Sequence, residues 1–256
     1  MQPDSLSLYL HIPFCRHRCS YCDFNTYTTL GELQARYATA LADEVKQVAG
    51  DVRRKAHTLF FGGGTPSLMT VAQMAEILGA LHEGFVVTDS AEISIEANPN
   101  TVTLEYLQAL RGLGINRLSF GVQSAIASEL SLLDRQHDFA TVIRAVEMAR
   151  QANFNNFNID LIYGVPGQTL SSWQQSLDAI LALDPPHVSL YCLTIETGTP
   201  MHRWLHNGII SAPDPDLAAD QFELARDKMA GAGFVHYEIS NWAKPNLACE
   251  HNLTYW

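Results

Sequence analysis

The sequence predicts an α/β protein built around a parallel sheet. Short apolar runs alternate with helix-like stretches, the links between them are short, and polar or glycine residues follow each run. The apolar runs span residues 6–12, 58–61, 92–97, 117–122, 158–163 and 188–193. Six strand–helix units of this kind form a parallel sheet covered by helices, with right-handed crossovers. They fit either a partly open β/α barrel or a doubly wound sheet.

Apolar side chains that recur every three or four residues predict the intervening helices. The three clearest stripes are Leu30, Leu33, Tyr37, Leu41, Val45 and Val48; Phe139, Val142, Ile143, Val146 and Ala149; and Leu170, Trp173, Leu177, Ile180 and Leu181. Thr70 and Gln73 can form a capping box at a helix start. Asp214 followed by Pro215 is typical of another helix start.

The strand–helix alternation stops after about Gly233. The segment VHYEISNW predicts one further strand, and the residues after it have the composition of a loop. We therefore expect one α/β domain over residues 1–235. Residues 236–256 are expected to begin a C-terminal region that continues beyond this sequence.

Composition and charge exclude several classes of protein. The formal net charge of −11 disfavours non-specific nucleic-acid binding, because phosphate contacts need a basic surface. No apolar run approaches the roughly 18 residues of a membrane span. The N-terminal segment lacks the basic residues and cleavage site of a signal peptide. We expect a cytoplasmic protein without a membrane span.

The most informative motif is a trio of cysteines, Cys15, Cys19 and Cys22, spaced C-x3-C-x2-C after the first apolar run. Three thiolates can ligate three irons of a four-iron cluster and leave the fourth iron open for chemistry. The trio is too crowded for a disulfide framework. The two remaining cysteines, Cys192 and Cys249, stand alone and are expected to be packed or idle thiols.

A zinc site completed by His11 or His17 is the alternative for this trio. Zinc prefers four tetrahedral ligands, and structural sites usually take two from each of two short sequence motifs. No second cysteine motif follows in this sequence. The iron–sulfur interpretation is therefore favoured.

A triple glycine at residues 62–64 follows the second predicted strand. The carboxyl ends of strands are where ligands bind in barrels and in open α/β sheets alike. The glycines lack the spacing of a nucleotide P-loop or a dinucleotide fingerprint. They can form a simple tight turn, but three residues without side chains also let a ligand lie directly against the backbone. Beside the cysteines, the ligand interpretation is favoured.

Two carboxylates, Glu96 and Asp160, lie in otherwise apolar strands. A buried carboxylate is costly unless it has a partner. One explanation is a salt bridge to Arg117 or Arg135, and the other is a ligand that offers an amine or a ribose hydroxyl. We favour the ligand. A guanidinium near this face, such as that of Arg135, suits a ligand carboxylate.

Together, the segments CRHRCSYC, FFGGGTPSLM, SIEANP, RLSFGVQS and DLIYGVPGQT resemble the radical S-adenosylmethionine superfamily, and the resemblance covers essentially the whole chain. It implies a partial (β/α)6 barrel and a [4Fe–4S] cluster held by Cys15, Cys19 and Cys22. The amine and carboxylate of S-adenosylmethionine would chelate the open iron. One electron from the cluster, supplied by a reductant protein, would then yield a 5′-deoxyadenosyl radical.

The same segments are similar to the branch that holds the oxygen-independent coproporphyrinogen III oxidases and the HemW-type heme chaperones. By matching position, the residues implied to contact the cluster-bound S-adenosylmethionine are Tyr9, Gly63 and Glu96. Further positions match those that bind adenosylmethionine in the oxidase, including a second molecule: Tyr21, Gly64, Thr65, Gln123, Arg135 and Asp160.

Two departures and one signature separate the chaperones from the oxidases. The oxidases carry a fourth cysteine at the position of Phe24 and a long extension before the first strand. The ending HNLTYW matches an HNxxYW signature implicated in heme binding, which makes His251 the candidate iron ligand and lets Tyr255 and Trp256 pack on the macrocycle. Without the resemblance, His251 would be interpreted as a solvated tail histidine.

The resemblance therefore implies a protein that binds heme and a [4Fe–4S] cluster and transfers heme to acceptor proteins. It implies an S-adenosylmethionine site without coproporphyrinogen oxidase activity. The alternative is an enzyme that decarboxylates the propionates of coproporphyrinogen III by radical chemistry.

Overall fold

The computed structural model describes residues 5–51 and 53–256. Within them, eight strands form one sheet in the order β1-β2-β3-β4-β5-β6-β8-β7. The strands are β1 Ser5–Ile12, β2 Lys55–Gly63, β3 Val86–Ala97, β4 Arg117–Gln123, β5 Asn156–Tyr163, β6 His187–Cys192, β7 Val235–Glu238 and β8 Asn241–Ala243. The helices are α1 Gln34–Ala49, α2 Val71–Gly84, α3 Leu104–Gly112, α4 Ala127–Leu132, α5 Phe139–Gln151, α6 Leu170–Leu181, α7 Pro200–His206, α8 Pro215–Gly231 and α9 Glu250–Leu253.

The strand order distinguishes the two predicted architectures. From β1 to β6, each strand pairs in parallel with the next strand along the chain. A doubly wound sheet would reverse its order at a switch point, and this one does not. The partial-barrel prediction is therefore confirmed, and the sheet curls into a half-barrel.

The two faces of the sheet differ in chemistry because side chains alternate along each strand. In β4, Leu118, Phe120 and Val122 are buried in the apolar core beneath the outer helices. Arg117 and Ser119, on the other face, line a cavity inside the half-barrel. The polar inner face therefore lines a cavity that can bind a ligand.

The helix stripes are confirmed except at three positions, Val48, Ile143 and Leu170, which are exposed. Helix α1 buries Ala38, Ala42, Val45 and Ala49. Val48 was predicted on the apolar stripe, yet it is 58% exposed. At 100° per residue, Val48 lies about 90° around the helix from the centre of that buried face.

Both predicted helix starts are confirmed. Thr70 and Gln73 form the capping box of α2. The Asp214 carboxylate accepts hydrogen bonds from the backbone N–H groups of Asp216 and Leu217 at the start of α8.

The C-terminal segment differs from its prediction. Instead of one strand, β7 and β8 form an antiparallel hairpin, and β8 also pairs antiparallel with β6. The Glu238 carboxylate accepts the backbone N–H of Ser240 at 3.0 Å and stabilises the turn between the two strands. The predicted loop contains the short helix α9. The expected domain boundary at residue 235 stays a prediction.

None of the helices in the described part of the chain combines the length and apolarity needed to cross a bilayer.

Candidate functional site

Two adjoining cavities lie at the inner face and carboxyl edge of the half-barrel. Their volumes are about 130 Å³ and about 430 Å³. The residues that line both are Tyr21, Cys22, Phe24, Glu96, Ser119, Gln123 and Asp160. The smaller one is the cysteine cavity, which holds Cys15 and Cys19 beside the triple glycine. The larger one, the main cavity, reaches from Tyr9 in β1 to His251 in α9.

The structure brings all of the sequence-predicted site residues to these two cavities. The cysteine cavity is lined by Cys15, Cys19, Cys22, Tyr21, Gly63, Gly64, Thr65, Glu96, Gln123, Arg135 and Asp160. The main cavity adds Tyr9 and His251 to the shared residues.

Backbone hydrogen bonds shape the loop that carries the cysteines. The N–H of Cys15 donates to the carbonyl of Tyr27 at 3.1 Å, and the N–H of Tyr27 donates to that of Pro13 at 2.7 Å. Arg18 Nε donates to the carbonyl of Cys22 at 3.1 Å. These contacts fold the loop back on itself, so that its three free thiols border one small cavity.

Two donors face the thiols. Thr65 Oγ1 donates to Cys15 Sγ at 3.5 Å, and Arg135 Nη1 donates to Cys19 Sγ at 3.4 Å. Burial raises the pKa of Cys15, against the Thr65 hydrogen bond that lowers it. A thiolate is the form that binds iron, and donors that stabilise sulfur charge suit a cysteine-ligated cluster. The chemistry of this set of side chains therefore fits an iron–sulfur cluster.

The zinc alternative finds no geometric support. In the chain from Ser5 onward, leaving out residue 52, no three His, Cys, Asp or Glu side chains are placed to hold one metal ion. His17 Nε2 instead lies 2.7 Å from Asp134 Oδ2, and His11 Nε2 lies 2.9 Å from the carbonyl of Asn25. A cluster distributes its thiolates over different irons, whereas zinc needs its ligands around one centre.

The triple glycine is required by close packing. A Cβ on Gly63, whose φ is +110°, would lie 2.4 Å from the His11 ring. A Cβ on Gly64 would lie 2.7 Å from the carbonyl oxygen of Phe14. The glycines thus let the end of β2 pack directly against the start of the cysteine loop.

Glu96 lies between the two cavities, and no arginine of the described residues forms an ion pair with it. Its Oε2 accepts the backbone N–H of Gly63 at 2.9 Å. Burial, and then the negative charge of Asp160, raise the pKa of Glu96 to about 7. A carboxylate in this environment gains from a cationic ligand such as an amine, because the cation would offset both effects.

Asp160 is held by neutral donors. Asn158 Nδ2 donates to its Oδ1 at 2.6 Å, and Ser119 Oγ donates to its Oδ2 at 3.4 Å. Burial raises the pKa of Asp160, against these hydrogen bonds. Within the described residues, neither Asp160 nor Glu96 forms the salt bridge to Arg117 or Arg135 that was the alternative to a ligand, and the carboxylate that pairs with Arg117 is Glu92.

Arg135 is half-buried against backbone and amide oxygens. Its Nη2 donates to Asn98 Oδ1 and to the carbonyl of Gly121, both at 2.5 Å. These contacts orient the guanidinium toward Cys19 rather than toward a carboxylate. Arg135 can therefore stabilise negative charge on the sulfur side of the cavity.

Gln123 faces both cavities because the end of β4 is irregular. Its φ is +72°, an uncommon value for a residue with a side chain. The pairing of β4 with β5 shifts register between Gly121 and Gln123. A bulge of this kind redirects the side chain at the end of a strand.

His251 is buried, so the alternative of a solvated tail histidine is wrong. The side chain is 4% exposed, and its ring stacks on Phe60 with centroids 5.0 Å apart. Its Nδ1 lies 2.8 Å from Thr58 Oγ1, and its Nε2 lies 3.3 Å from the Tyr255 hydroxyl. Burial lowers the pKa of His251 to about 4. The ring is therefore neutral near pH 7, as an iron ligand must be.

Aromatic side chains surround the main cavity and remain partly exposed. Tyr9, Phe24, Tyr191 and Tyr255 all line it, and Phe24 is 60% exposed. Trp256 is also exposed but does not line the cavity. An apolar rim around a polar floor suits a flat ligand with polar substituents.

Glu92 was not among the predicted site residues, and it positions helix α9. Its carboxylate accepts the backbone N–H groups of Glu250 at 3.0 Å and of His251 at 3.1 Å. The alternation Glu92, Ser94, Glu96 places three polar side chains on one face of β3, and this signal was available in the sequence.

The two lone cysteines, Cys192 and Cys249, both line the main cavity but differ in exposure. Cys249 is buried, and its Sγ lies 3.2 Å from Glu92 Oε1. Cys192 is exposed at the end of β6. Neither belongs to the cysteine cavity.

Comparisons with known proteins agree with this architecture. The Radical SAM superfamily model matches residues 9–180. The heme chaperone HemW of Mycobacterium tuberculosis (strain ATCC 25618 / H37Rv) is 39% identical over 260 residues, which cover 100% of this chain and 67% of that protein. The HemW of Bacillus subtilis (strain 168) is 37% identical over 98% of this chain and 66% of its own length. This chain thus spans about two thirds of the length of these relatives.

Among solved structures, coproporphyrinogen III oxidase (HemN) from Escherichia coli superimposes with a TM-score of 0.87 at 31% identity. The match covers 95% of this chain and 56% of that one. A radical S-adenosylmethionine methyltransferase from Kitasatospora setae superimposes with a TM-score of 0.59 at 17% identity, which shows a shared fold.

Proposed function

This chain belongs to the radical S-adenosylmethionine superfamily and, within it, to the HemW heme chaperones, and we propose that it binds heme and transfers it to acceptor proteins. The observation that carries this proposal is the state of His251. A neutral imidazole is held at its Nδ1 side and faces a cavity of about 430 Å³. Hydrogen bonding at one ring nitrogen is how proteins orient the other nitrogen toward a metal. Here Nε2 lies 3.3 Å from the Tyr255 hydroxyl, which the heme iron would displace.

In this proposal the cysteine cavity holds a [4Fe–4S] cluster through Cys15, Cys19 and Cys22. Thr65 and Arg135 would stabilise the thiolates through the hydrogen bonds they already donate. The cluster would supply single electrons, delivered by a reductant protein. Glu96, at the junction of the cavities, would bind the amine of S-adenosylmethionine.

The other contacts to S-adenosylmethionine are those that the resemblance implies by matching position. Gly63 would orient Glu96 through its N–H, as it does at 2.9 Å here. The remaining residues of the proposed site are Tyr9, Tyr21, Gly64, Thr65, Gln123, Arg135 and Asp160. Asp160 would accept hydrogen bonds from ribose hydroxyls, since it already accepts hydrogen bonds from neutral donors.

Heme transfer needs an exposed apolar edge that an acceptor protein can approach. Phe24, Tyr191 and Tyr255 lie at the main cavity and are exposed. We propose that heme leaves across this edge to an acceptor in the cytoplasm. The net charge of −11 favours protein acceptors over nucleic acid.

A second candidate is oxidative decarboxylation of coproporphyrinogen III. It is favoured by the backbone similarity to the E. coli oxidase and by the continuity of the two cavities. Phe24 argues against it, because the resemblance places a fourth cysteine of the oxidases at this position.

The proposal is tested by heme titration of protein whose cluster has been reconstituted without air. We expect saturable heme binding with a shifted Soret band, and at least about tenfold weaker binding by His251→Ala. His206→Ala, which changes an exposed histidine in α7, is the control and should bind like wild type. Protoporphyrinogen formation from coproporphyrinogen III, with reductant and S-adenosylmethionine, would support the oxidase instead.

A further inference from the structure

Arg117 is a fully buried cation on the floor of the main cavity. It begins β4 on the inner face of the sheet and is 2% exposed. A guanidinium stays charged at any pH that a folded protein tolerates. Its desolvation must therefore be offset by hydrogen bonds or by an opposite charge.

The only carboxylate paired with Arg117 in the described chain is already engaged elsewhere. Glu92 Oε2 lies 3.9 Å from Arg117 Nε, which is too long for a hydrogen bond. That same oxygen accepts the N–H of Glu250, and Oε1 accepts the N–H of His251. Arg117 Nε is left buried without a hydrogen-bond partner among the described residues.

The neighbouring polar groups on the floor satisfy one another. His187 Nδ1 lies 2.7 Å from Asn158 Oδ1, and Ser189 Oγ donates to the same oxygen at 3.0 Å. Asn158 Nδ2 donates to Ser119 Oγ at 2.8 Å. Among the described residues Arg117 donates no hydrogen bond to this network, although its charge acts on that of Asp160, and its Nε lacks a partner.

We infer that Arg117 binds a carboxylate of the ligand in the main cavity, namely a propionate of heme. This inference rests on the proposed function. Glu92 contacts both Arg117 and the backbone of His251, so one ligand can place its iron at the imidazole and its carboxylate at the guanidinium. The forked guanidinium binds carboxylates through paired hydrogen bonds. The other source of a carboxylate is the methionine end of S-adenosylmethionine.

The test compares ferric heme with heme dimethyl ester, whose propionates are blocked, on the anaerobically reconstituted protein. The variants are Arg117→Lys, which keeps the charge but loses the fork, and Glu92→Gln/Arg117→Gln, which removes both buried charges. Arg226→Gln changes an arginine on the surface of α8 and is the matched control. Each protein is also titrated with S-adenosylmethionine.

We expect wild type and Arg226→Gln to bind heme about tenfold more tightly than the ester. The ratio of the affinity for heme to the affinity for the ester should approach one in the double variant. In Arg117→Lys it should lie between one and the wild-type ratio. A purely structural role would weaken both ligands alike and leave the ratio unchanged, which would overturn the inference. So would an unchanged ratio with weakened binding of S-adenosylmethionine, which would assign Arg117 to that ligand.

Failure of the inference and failure of the proposed function are distinguishable. If wild type binds heme and its ester equally, the inference is overturned and heme binding stands. If wild type binds neither porphyrin, both are overturned.

Discussion

Glu92 in β3 holds the helix that carries His251: its Oε1 accepts the backbone N–H of His251 at 3.1 Å. The negative charge lies at the N-terminal end of α9, where free N–H groups need acceptors. Four residues are too few for a helix to be stable alone. The position of the candidate heme ligand therefore depends on a carboxylate from the barrel interior.

Replacing Glu92 by Gln should destabilise the protein strongly. The change removes the carboxylate that pairs with the buried Arg117, so we expect the free energy of unfolding to fall by roughly 2–4 kcal/mol. Glu83→Gln is the control, since Glu83 forms an exposed pair with Lys46 and should cost under about 1 kcal/mol. Urea unfolding followed by circular dichroism measures both, and equal losses would contradict the role of Glu92.

Gly63→Ala should destabilise the junction of β2 and the cysteine loop. The added Cβ would lie 2.4 Å from the His11 ring, at a backbone φ of +110°. We expect a loss of roughly 2–4 kcal/mol. Gly208→Ala is the matched control: its φ is also positive, at +67°, but nothing lies within 4 Å of the new Cβ.

The control should cost only about 1 kcal/mol, from backbone strain alone. Differential scanning calorimetry of the two variants compares a crowded glycine with an uncrowded one, both at positive φ. Similar melting temperatures would show that His11 moves aside freely.

Alanine at Cys15, Cys19 or Cys22 should abolish the four-iron cluster, because each thiolate would ligate a different iron. Cys192→Ala is the control, since Cys192 lies outside the cysteine cavity. Iron and sulfide analysis after anaerobic reconstitution, with Mössbauer spectroscopy, measures cluster content. A complete cluster signal in all three variants would refute the ligand assignment.

Stability should fall in mild acid because of His137. Burial lowers its pKa to about 4, from 6.5 in the unfolded chain. Above pH 6.5 both states hold the neutral ring, and His137 adds nothing to the pH dependence. As pH falls from 6.5 toward 4, the unfolded chain takes up a proton that the folded chain refuses, so stability is lost.

His137→Gln should remove this part of the acid sensitivity while keeping a donor for the carbonyl of Val122. Near pH 4.5, wild type should have lost about 2 kcal/mol more than the variant, relative to pH 7. Urea unfolding at both pH values measures the difference. Parallel losses would show that His137 is protonated in the folded state.

Local patterns predicted most of the fold and the composition of the site. The six parallel strands and the α2 capping box follow from periodicity and from adjacent side chains, which a sequence displays directly. Helix α9 was missed because its stability comes from Glu92, which lies far from it along the chain. The exposed Val48 shows the same limit, since periodicity defines a stripe but not which part of it packs.

The sequence predicted which residues gather at the site, but not which protein groups hydrogen-bond to them. Glu96 and Asp160 were recognised as carboxylates in apolar strands, with a ligand favoured over a salt bridge, but the sequence could not name the protein groups that contact them. The structure gives Glu96 a backbone N–H and Asp160 neutral donors. Those contacts depend on strand register and on the packing of Gly63, which no local pattern encodes.

The most direct test of the account is electron paramagnetic resonance of the ferric heme complex, in wild type and in His251→Ala. We predict a spectrum typical of imidazole-ligated heme in wild type, its loss in the variant, and its recovery when free imidazole is added. An identical spectrum in both proteins would show that heme, if bound, is held elsewhere, and would contradict the assignment of His251 and the main cavity.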